Sequence, residues 1–208
     1  MKIPSRLEQQ IKSSRETAFK AFCIYRPQAQ PERIAVKLEF EWLAAGQLPE
    51  TALHILRDMP TVSALMTAEQ LVLPYTSSIL VAETPAEILS DKIRALYERH
   101  YIKGRDIFDL WWLVERLQVT PTWSIVHKKL KMYRTEFKAA RKPDFFKDPA
   151  FHSEIRDALE SDLPRFIPPN ILAVYRDEGF RRFIDNADKV TARLLAQGLG
   201  EYLDARQH

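Results

Sequence analysis

The sequence predicts an α+β protein, and three observations carry that prediction. Residues 33–42 alternate large apolar side chains with charged ones, Ala35 standing in one of the charged places, which is the period of a half-buried strand. From Thr84 onward the apolar residues recur at three- and four-residue intervals instead, the period of helices that bury one face. Between these regions two short apolar runs, 71–73 and 79–81, are parted by Pro74 and a serine pair and read as short strands.

In chain order, residues 7–20 carry several charges and few apolar groups and are expected to form a solvent-facing helix. The apolar and aromatic run 18–25 predicts a strand, and residues 27–31, proline at both ends, a turn. In the alternating run Ile34, Val36, Leu38, Phe40 and Trp42 point to one face, and Arg33, Ala35, Lys37, Glu39 and Glu41 to the other. Leu48, Ala52, Ile55 and Leu56 have helical spacing between two prolines and predict a helix over 48–59. Beyond Gln118 the chain reads as wholly helical. Trp123, Val126, Leu130, Tyr133 and Phe137 form one inward stripe. Phe151, Ile155, Leu159 and Leu163 form the next, ending at Pro164 and again at Pro168 and Pro169. The last helical region buries Val174, Tyr175, Phe180, Phe183, Ile184, Ala187, Val190 and Leu194, with Gly179 dividing it and Gly198 and Gly200 loosening its end.

Bulk properties set the class. At 208 residues, 46% apolar and 28% charged, the chain can bury a real core as one domain or two packed lobes. A formal charge of +3 does not by itself demand a nucleic-acid partner. The single cysteine, Cys23, excludes an intrachain disulfide and a cysteine zinc cluster, and is expected in the core of a protein from a reducing compartment. No apolar run reaches membrane-spanning length and the N-terminus lacks a secretory pattern, so a cytoplasmic protein with no membrane partner is expected.

The densest chemistry lies in ETPAEILSDKIRALYERHYIKGRDIFDLWWL, residues 83–113. Thr84 suits an N-cap, Pro85 the first helical position, and Glu87 completes a capping box. Leu89, Ile93 and Leu96 mark the buried stripe, and Lys92 borders it, where a lysine can be held by a carboxylate or reach a phosphate. Asp91, Arg94 and Glu98 fall on the side expected to be solvated. Gly104 marks a turn, after which Ile107, Leu110, Trp111, Val114 and Leu117 point inward on a second helix. Asp106 and Asp109 share one face at its start. The same two acids also suit an N-cap and the first turn of a helix, with Arg105 as a surface partner.

EILSDKIRAL followed by GRDIFDLWWL resembles the C-terminal motif pair of the AbiEii/AbiGii-type nucleotidyltransferase toxins, within the polymerase-beta-like nucleotidyltransferases. Glu87, Lys92, Ala95 and Leu96 fill the places of the family's lysine helix, and Arg105, Asp106, Asp109 and Leu110 those of its Arg-Asp-x-x-Asp-Leu motif. The resemblance implies a partial nucleotidyltransferase fold, with residues 1–83 the remnant of its α/β part and 84–208 a helical bundle. It implies catalytic roles for Lys92, Asp106 and Asp109, and nucleotide contacts from Lys92, Arg94 and Arg105. It also implies Mg2+ and a nucleoside triphosphate, an RNA or protein acceptor, a cognate antitoxin, and a bacterial abortive-infection or toxin–antitoxin setting. Lys37, Leu38 and Glu39 match the family's Lys-x-Glu strand. Glu39 and Glu41, two apart on one face, are therefore candidate metal ligands, a polar solvated face being the other reading.

One departure bears on catalysis. Members of the family carry a glycine-rich helix start and an Asp-x-Asp pair before that strand, whereas this chain has no glycine before Gly46, no aspartate before Asp58, and no Asp-x-Asp anywhere. The expectations are a shortened, inactive relative, a chain begun at an internal start, or one half of a split enzyme completed by an N-terminal half or a second copy. The alternative function is a non-catalytic module binding RNA or a partner. Lys128, Lys129, Lys131, Arg134 and Lys138, with Arg141 and Lys142, crowd one expected helix. They predict either an RNA-binding face or a solvated helix set against acidic neighbours such as Glu154 and Asp157. The five histidines show no metal-ligand spacing and are assigned no role.

Overall fold

Alternation at 34–41 makes a strand because every second side chain can share a face while the backbone pairs on both sides. The computed structural model describes residues 5–14, 18–27, 34–68 and 77–205. β1 (Ser5–Ser14), β2 (Ala18–Pro27) and β3 (Ile34–Glu41) form an antiparallel sheet in that order, with a bulge between Ile11 and Ser13. The chain divides into two compact units, and this sheet belongs to Met1–Leu48 with Lys131–Glu136. Within that unit Leu43 bridges Tyr133, the Ala44 N–H donates to Met132 O at 2.8 Å, and the Arg134 N–H donates to Trp42 O at 2.9 Å.

Two expectations are corrected here. The first segment is a strand and not a helix: pairing along β2 supplies its backbone partners, and such tertiary pairing overrides a weak local helix preference. The apolar face of β3 is exposed, Val36 and Phe40 each at 52%, so the alternation reports strand period without burial. Cys23 is partly buried. The rest of the predicted 27–31 turn and the 71–73 strand lie outside the described residues.

The second unit is Pro49–Leu130 with Phe137–His208. β4 (Thr51–Ile55) pairs antiparallel with β5 (Ile79–Glu83), so the helix expected over 48–59 is replaced by a strand and a 3-10 turn, Leu56–Asp58. The 79–83 strand offers this run a ladder, and that pairing overrides its local helical spacing. α1 (Pro60–Thr67) comes next. The helices are then α2 (Pro85–Glu98), α3 (Gly104–Trp111), α4 (Trp123–Leu130), α5 (Pro149–Asp162), α6 (Pro169–Asp177), α7 (Arg181–Leu195) and α8 (Leu199–Asp204). α3 packs on α5, α7 and α2, and α2 packs on α4. Leu89, Ile93, Ile107, Leu110, Ile155, Leu159, Phe183 and Leu194 are all at 1% exposure or less and form the centre of the core. The α+β class and the helical C-terminal part are thus as the patterning predicts.

Two positions expected to face inward, Leu117 and Val174, face solvent. α3 runs into a π turn, Trp112–Arg116, in which the Leu117 N–H donates to Trp112 O. The extra residue in that turn rotates the side chains beyond it, and Leu117 is 51% exposed rather than inward. Val174 is likewise exposed, while Tyr175, Phe180, Phe183, Ile184, Ala187, Val190 and Leu194 are buried. The long basic helix is also corrected. α4 is eight residues, and residues 131–144 are irregular, because backbone groups of Met132 and Arg134 pair with Ala44 and Trp42 instead of continuing a helix. Gly179 divides the last helical region as expected, with φ +58° between α6 and α7.

Gly104 is not a turn glycine but the first residue of α3, pressed against α5. A Cβ there would sit 2.2 Å from the Ala158 carbonyl oxygen, and backbone cannot yield as a side chain tip does. Gly104→Ala should therefore lower stability by about 2 kcal/mol, the scale of overpacking a tight contact. The check is urea denaturation of both proteins; an unchanged midpoint would show that the two helices are not in that contact.

Candidate functional site

Capping fixes where α2 begins. The Thr84 hydroxyl accepts from the Glu87 N–H at 3.4 Å and Pro85 fills the first turn. The reciprocal half of the capping box is not made: the Thr84 N–H donates to Glu50 O, and the Glu87 carboxylate turns away to accept from the Glu50 N–H at 2.9 Å. Eight residues after the cap, Lys92 projects toward the start of α3. There Asp106 and Asp109, three apart on one helix face, both reach it, with Nζ 2.9 Å from Asp106 Oδ1 and 2.5 Å from Asp109 Oδ2.

The two carboxylates are held differently. Asp106 is 4% exposed, and its second oxygen accepts from Arg99 Nη1, so it lies locked between two cations. Asp109 is 37% exposed and touches only the outer side of Lys92. Burial pulls the Lys92 pKa down, but the hydrogen bonds its ammonium donates to Asp109 and Asp106, and their charges, outweigh it, and the value is raised above the ordinary 10.5. Lys92 is therefore an ammonium at neutral pH and cannot serve there as a general base. It is a fixed positive charge with 21% of its side chain open to solvent.

The other predicted residues occupy varied surroundings. Arg105 is exposed, next to the cluster in sequence. Arg94 is corrected from solvated to 5% exposed: its Nε and Nη2 both bond Glu98 at 3.0 Å, and Nη1 donates to Lys129 O at 3.3 Å. Lys129 is wholly buried, its ammonium 2.8 Å from Glu83, 3.0 Å from Glu87 and 3.1 Å from Asp91. Burial lowers its pKa, yet these three carboxylates raise it more, and the net shift is upward. Lys128 and Lys138 are exposed, whereas Lys131 and Arg134 belong to the other compact unit. The five cations do not share one helical face.

Sequence reasoning missed Arg99 and the Lys129 cluster. A signal existed for part of the second, since Glu87 and Asp91 stand four apart and so share one side of α2, with Glu83 at the end of β5 just before it. Glu39 does not stand free to hold a cation: one oxygen is 2.7 Å from Lys20 and the other 2.7 Å from Lys37, and these hydrogen bonds, Lys20 first, lower its pKa. Glu41 is exposed. Among the described residues no group of three or more His, Cys, Asp or Glu side chains could hold a metal ion, so these residues do not fit the divalent metal that the fold implies.

A lysine helix and an Arg-Asp-x-x-Asp helix thus meet in one ion cluster. Residues 3–186 match the family described as "Nucleotidyl transferase AbiEii toxin, Type IV TA system". The chain belongs to that family and is a nucleotidyltransferase-like toxin. Its fold is shared with JHP933 from Helicobacter pylori, at TM-score 0.50 and 18% identity over 100% of this chain and 73% of that one. A second H. pylori structure, provisionally named a nucleotidyltransferase, gives TM-score 0.49 and 18% identity over 93% of this chain and 69% of the other. No curated protein matches the chain. The family name implies an antitoxin as counterpart, and among the described residues no helix is long and apolar enough to cross a membrane.

The raised lysine values fix a pH dependence. An unfolded lysine titrates near 10.4, so the stabilisation from Lys92 and Lys129 is complete below that pH and is lost as pH rises through the higher folded values. The urea midpoint should show no lysine-dependent fall across neutral pH and should drop only above about pH 10.5, with a smaller drop in Lys92→Met. A Lys92-dependent loss setting in near pH 8 would contradict the pairing.

Proposed function

We propose that the Lys92 cluster is the nucleotide-handling site of this toxin. The observation that supports the reading is an ammonium, charged at neutral pH, fixed between α2 and α3 by one locked and one loosely held carboxylate. A triphosphate approaching from solvent meets Lys92 and competes with Asp109, the exposed partner. Asp106 stays in place because Arg99 pins it, and so keeps the ammonium aimed outward or orients an acceptor hydroxyl. Exposed Arg105 is positioned by sequence to meet the same phosphates. Arg94 takes part only by holding Glu98 and the end of α4.

In this reading residues 84–208 carry the site, and residues 1–83 are the strand-bearing remnant of the nucleotidyltransferase part. The substrate is a nucleoside triphosphate, the acceptor an RNA or a protein, and the setting a bacterial cytoplasm in abortive infection or toxin–antitoxin control. Exposed Lys128 and Lys138 would contact RNA.

A second reading has its own support. The sequence lacks Asp-x-Asp, so the same site can bind nucleotide without transferring it. Titration of ATP, CTP, GTP and UTP by calorimetry, followed by incorporation of each α-labelled triphosphate into total RNA and into protein, separates the two. At least one triphosphate should bind the wild type and bind Lys92→Ala about tenfold more weakly, the value of a charge-assisted hydrogen bond. Label incorporation that depends on Lys92 supports transfer, and binding without incorporation supports the non-catalytic reading. Equal affinity in both proteins would overturn the assignment of Lys92.

A further inference from the structure

The last turn of α2 carries Arg99, and that turn is held from outside its own helix. The final carbonyls of a helix have no partner within it. Here residues 140–143 supply them. The Ala140 N–H donates to Tyr97 O at 2.7 Å, and Arg141 Nη1 donates to Leu96 O at 2.5 Å and to Arg99 O. The Tyr97 hydroxyl in turn donates to Pro143 O at 2.7 Å. Arg141 is 7% exposed, and its guanidinium carbon lies 5.3 Å from the centre of the Phe145 ring. A buried cation on the negative end of a helix dipole is favourable, and the aromatic face fixes its plane.

What Arg141 holds matters because of where Arg99 points. Its backbone carbonyl accepts from Arg141, while its own guanidinium reaches Asp106 Oδ2, leaving Oδ1 for Lys92. Loss of the backbone contact frees the C-cap residue, and with it the group that keeps Asp106 turned toward Lys92. We propose that Arg141 is a positioning residue of the Lys92 cluster, acting through Arg99. The inference rests on the nucleotide reading of that cluster for its functional consequence, but not for its structural content.

Arg141 also lines a cleft of about 630 Å³ together with His100, Lys142 and Phe145. A small cation in solution can therefore reach the place of its side chain, which makes chemical rescue possible. In Arg141→Ala the nucleotide affinity should fall about 10- to 100-fold, as for removal of an outer hydrogen-bond partner of a site group. Millimolar guanidinium should restore most of it, and urea, its neutral counterpart, should not. The loss should be no greater in Arg141→Ala combined with Arg99→Gln than in Arg99→Gln alone, as expected when one residue acts through the other.

The readout that needs no nucleotide is the Arg99 side-chain N–H signal in the NMR spectrum, assigned by its loss in Arg99→Gln. It should be sharp and slow to exchange in the wild type, broadened in Arg141→Ala, and recovered with guanidinium. Should Arg141→Ala not fold, Arg141→Lys, which keeps the charge without the planar fork, is read for the same broadening. An unchanged Arg99 signal in the folded variant overturns the proposal. If Lys92→Ala binds nucleotide as well as the wild type, the nucleotide reading falls, while the Arg99 signal still decides whether Arg141 positions the cluster.

Discussion

The ammonium of Lys92 ties the middle of α2 to α3, and the site depends on that tie. Asp106 places a negative charge in the first turn of α3, where the helix dipole favours it, and Asp109 adds a second on the same face one turn later. Alone, buried Asp106 would be costly; with Lys92 on one oxygen and Arg99 on the other it is fully matched. The packing beneath is set by the same junction. α3 can begin there only because Gly104 lets its first turn lie against α5, and Ile107, Leu110 and Trp111 continue from that contact into the core.

Two lysines in this chain illustrate opposite uses of one functional group. Lys129 is wholly buried among Glu83, Glu87 and Asp91 and pins α4 to α2. Enclosed by three carboxylates and shut off from solvent, it is closed to a ligand. Lys92 has two carboxylates, one of them exposed, and keeps an open side. The difference between a structural cation and a candidate ligand-binding one lies in that exposure and in how easily one partner can be displaced.

Much of this was legible in the residues. The helix start at Thr84 and the burial of Leu89, Ile93 and Leu96 stem from capping chemistry and the 3.6-residue period, whereas the association of Lys92 with Asp106 and Asp109 is what the family resemblance implies. The features that were not legible depended on contacts distant in sequence. The strand over 5–14 exists through its pairing with 18–27, and the strand over 51–55 through its pairing with 79–83. The basic helix stopped at Leu130 because backbone groups beyond it found partners near Trp42. Arg99 stood in plain view, but its role comes from a helix end held by Arg141, which local spacing does not encode. The pairing of Glu39 with Lys20 and Lys37 likewise joins residues of two strands, Lys20 lying on the neighbouring one.

The central claim is that Lys92, aimed by Asp106, is the charge that receives a nucleotide. The most direct measurement is a crystal structure of the protein with a non-hydrolysable nucleoside triphosphate. A phosphate oxygen is expected within hydrogen-bond distance of Lys92 Nζ, with Asp109 displaced and the Asp106–Arg99 contact intact. A triphosphate bound elsewhere, with Lys92 still bridging both aspartates, would contradict it.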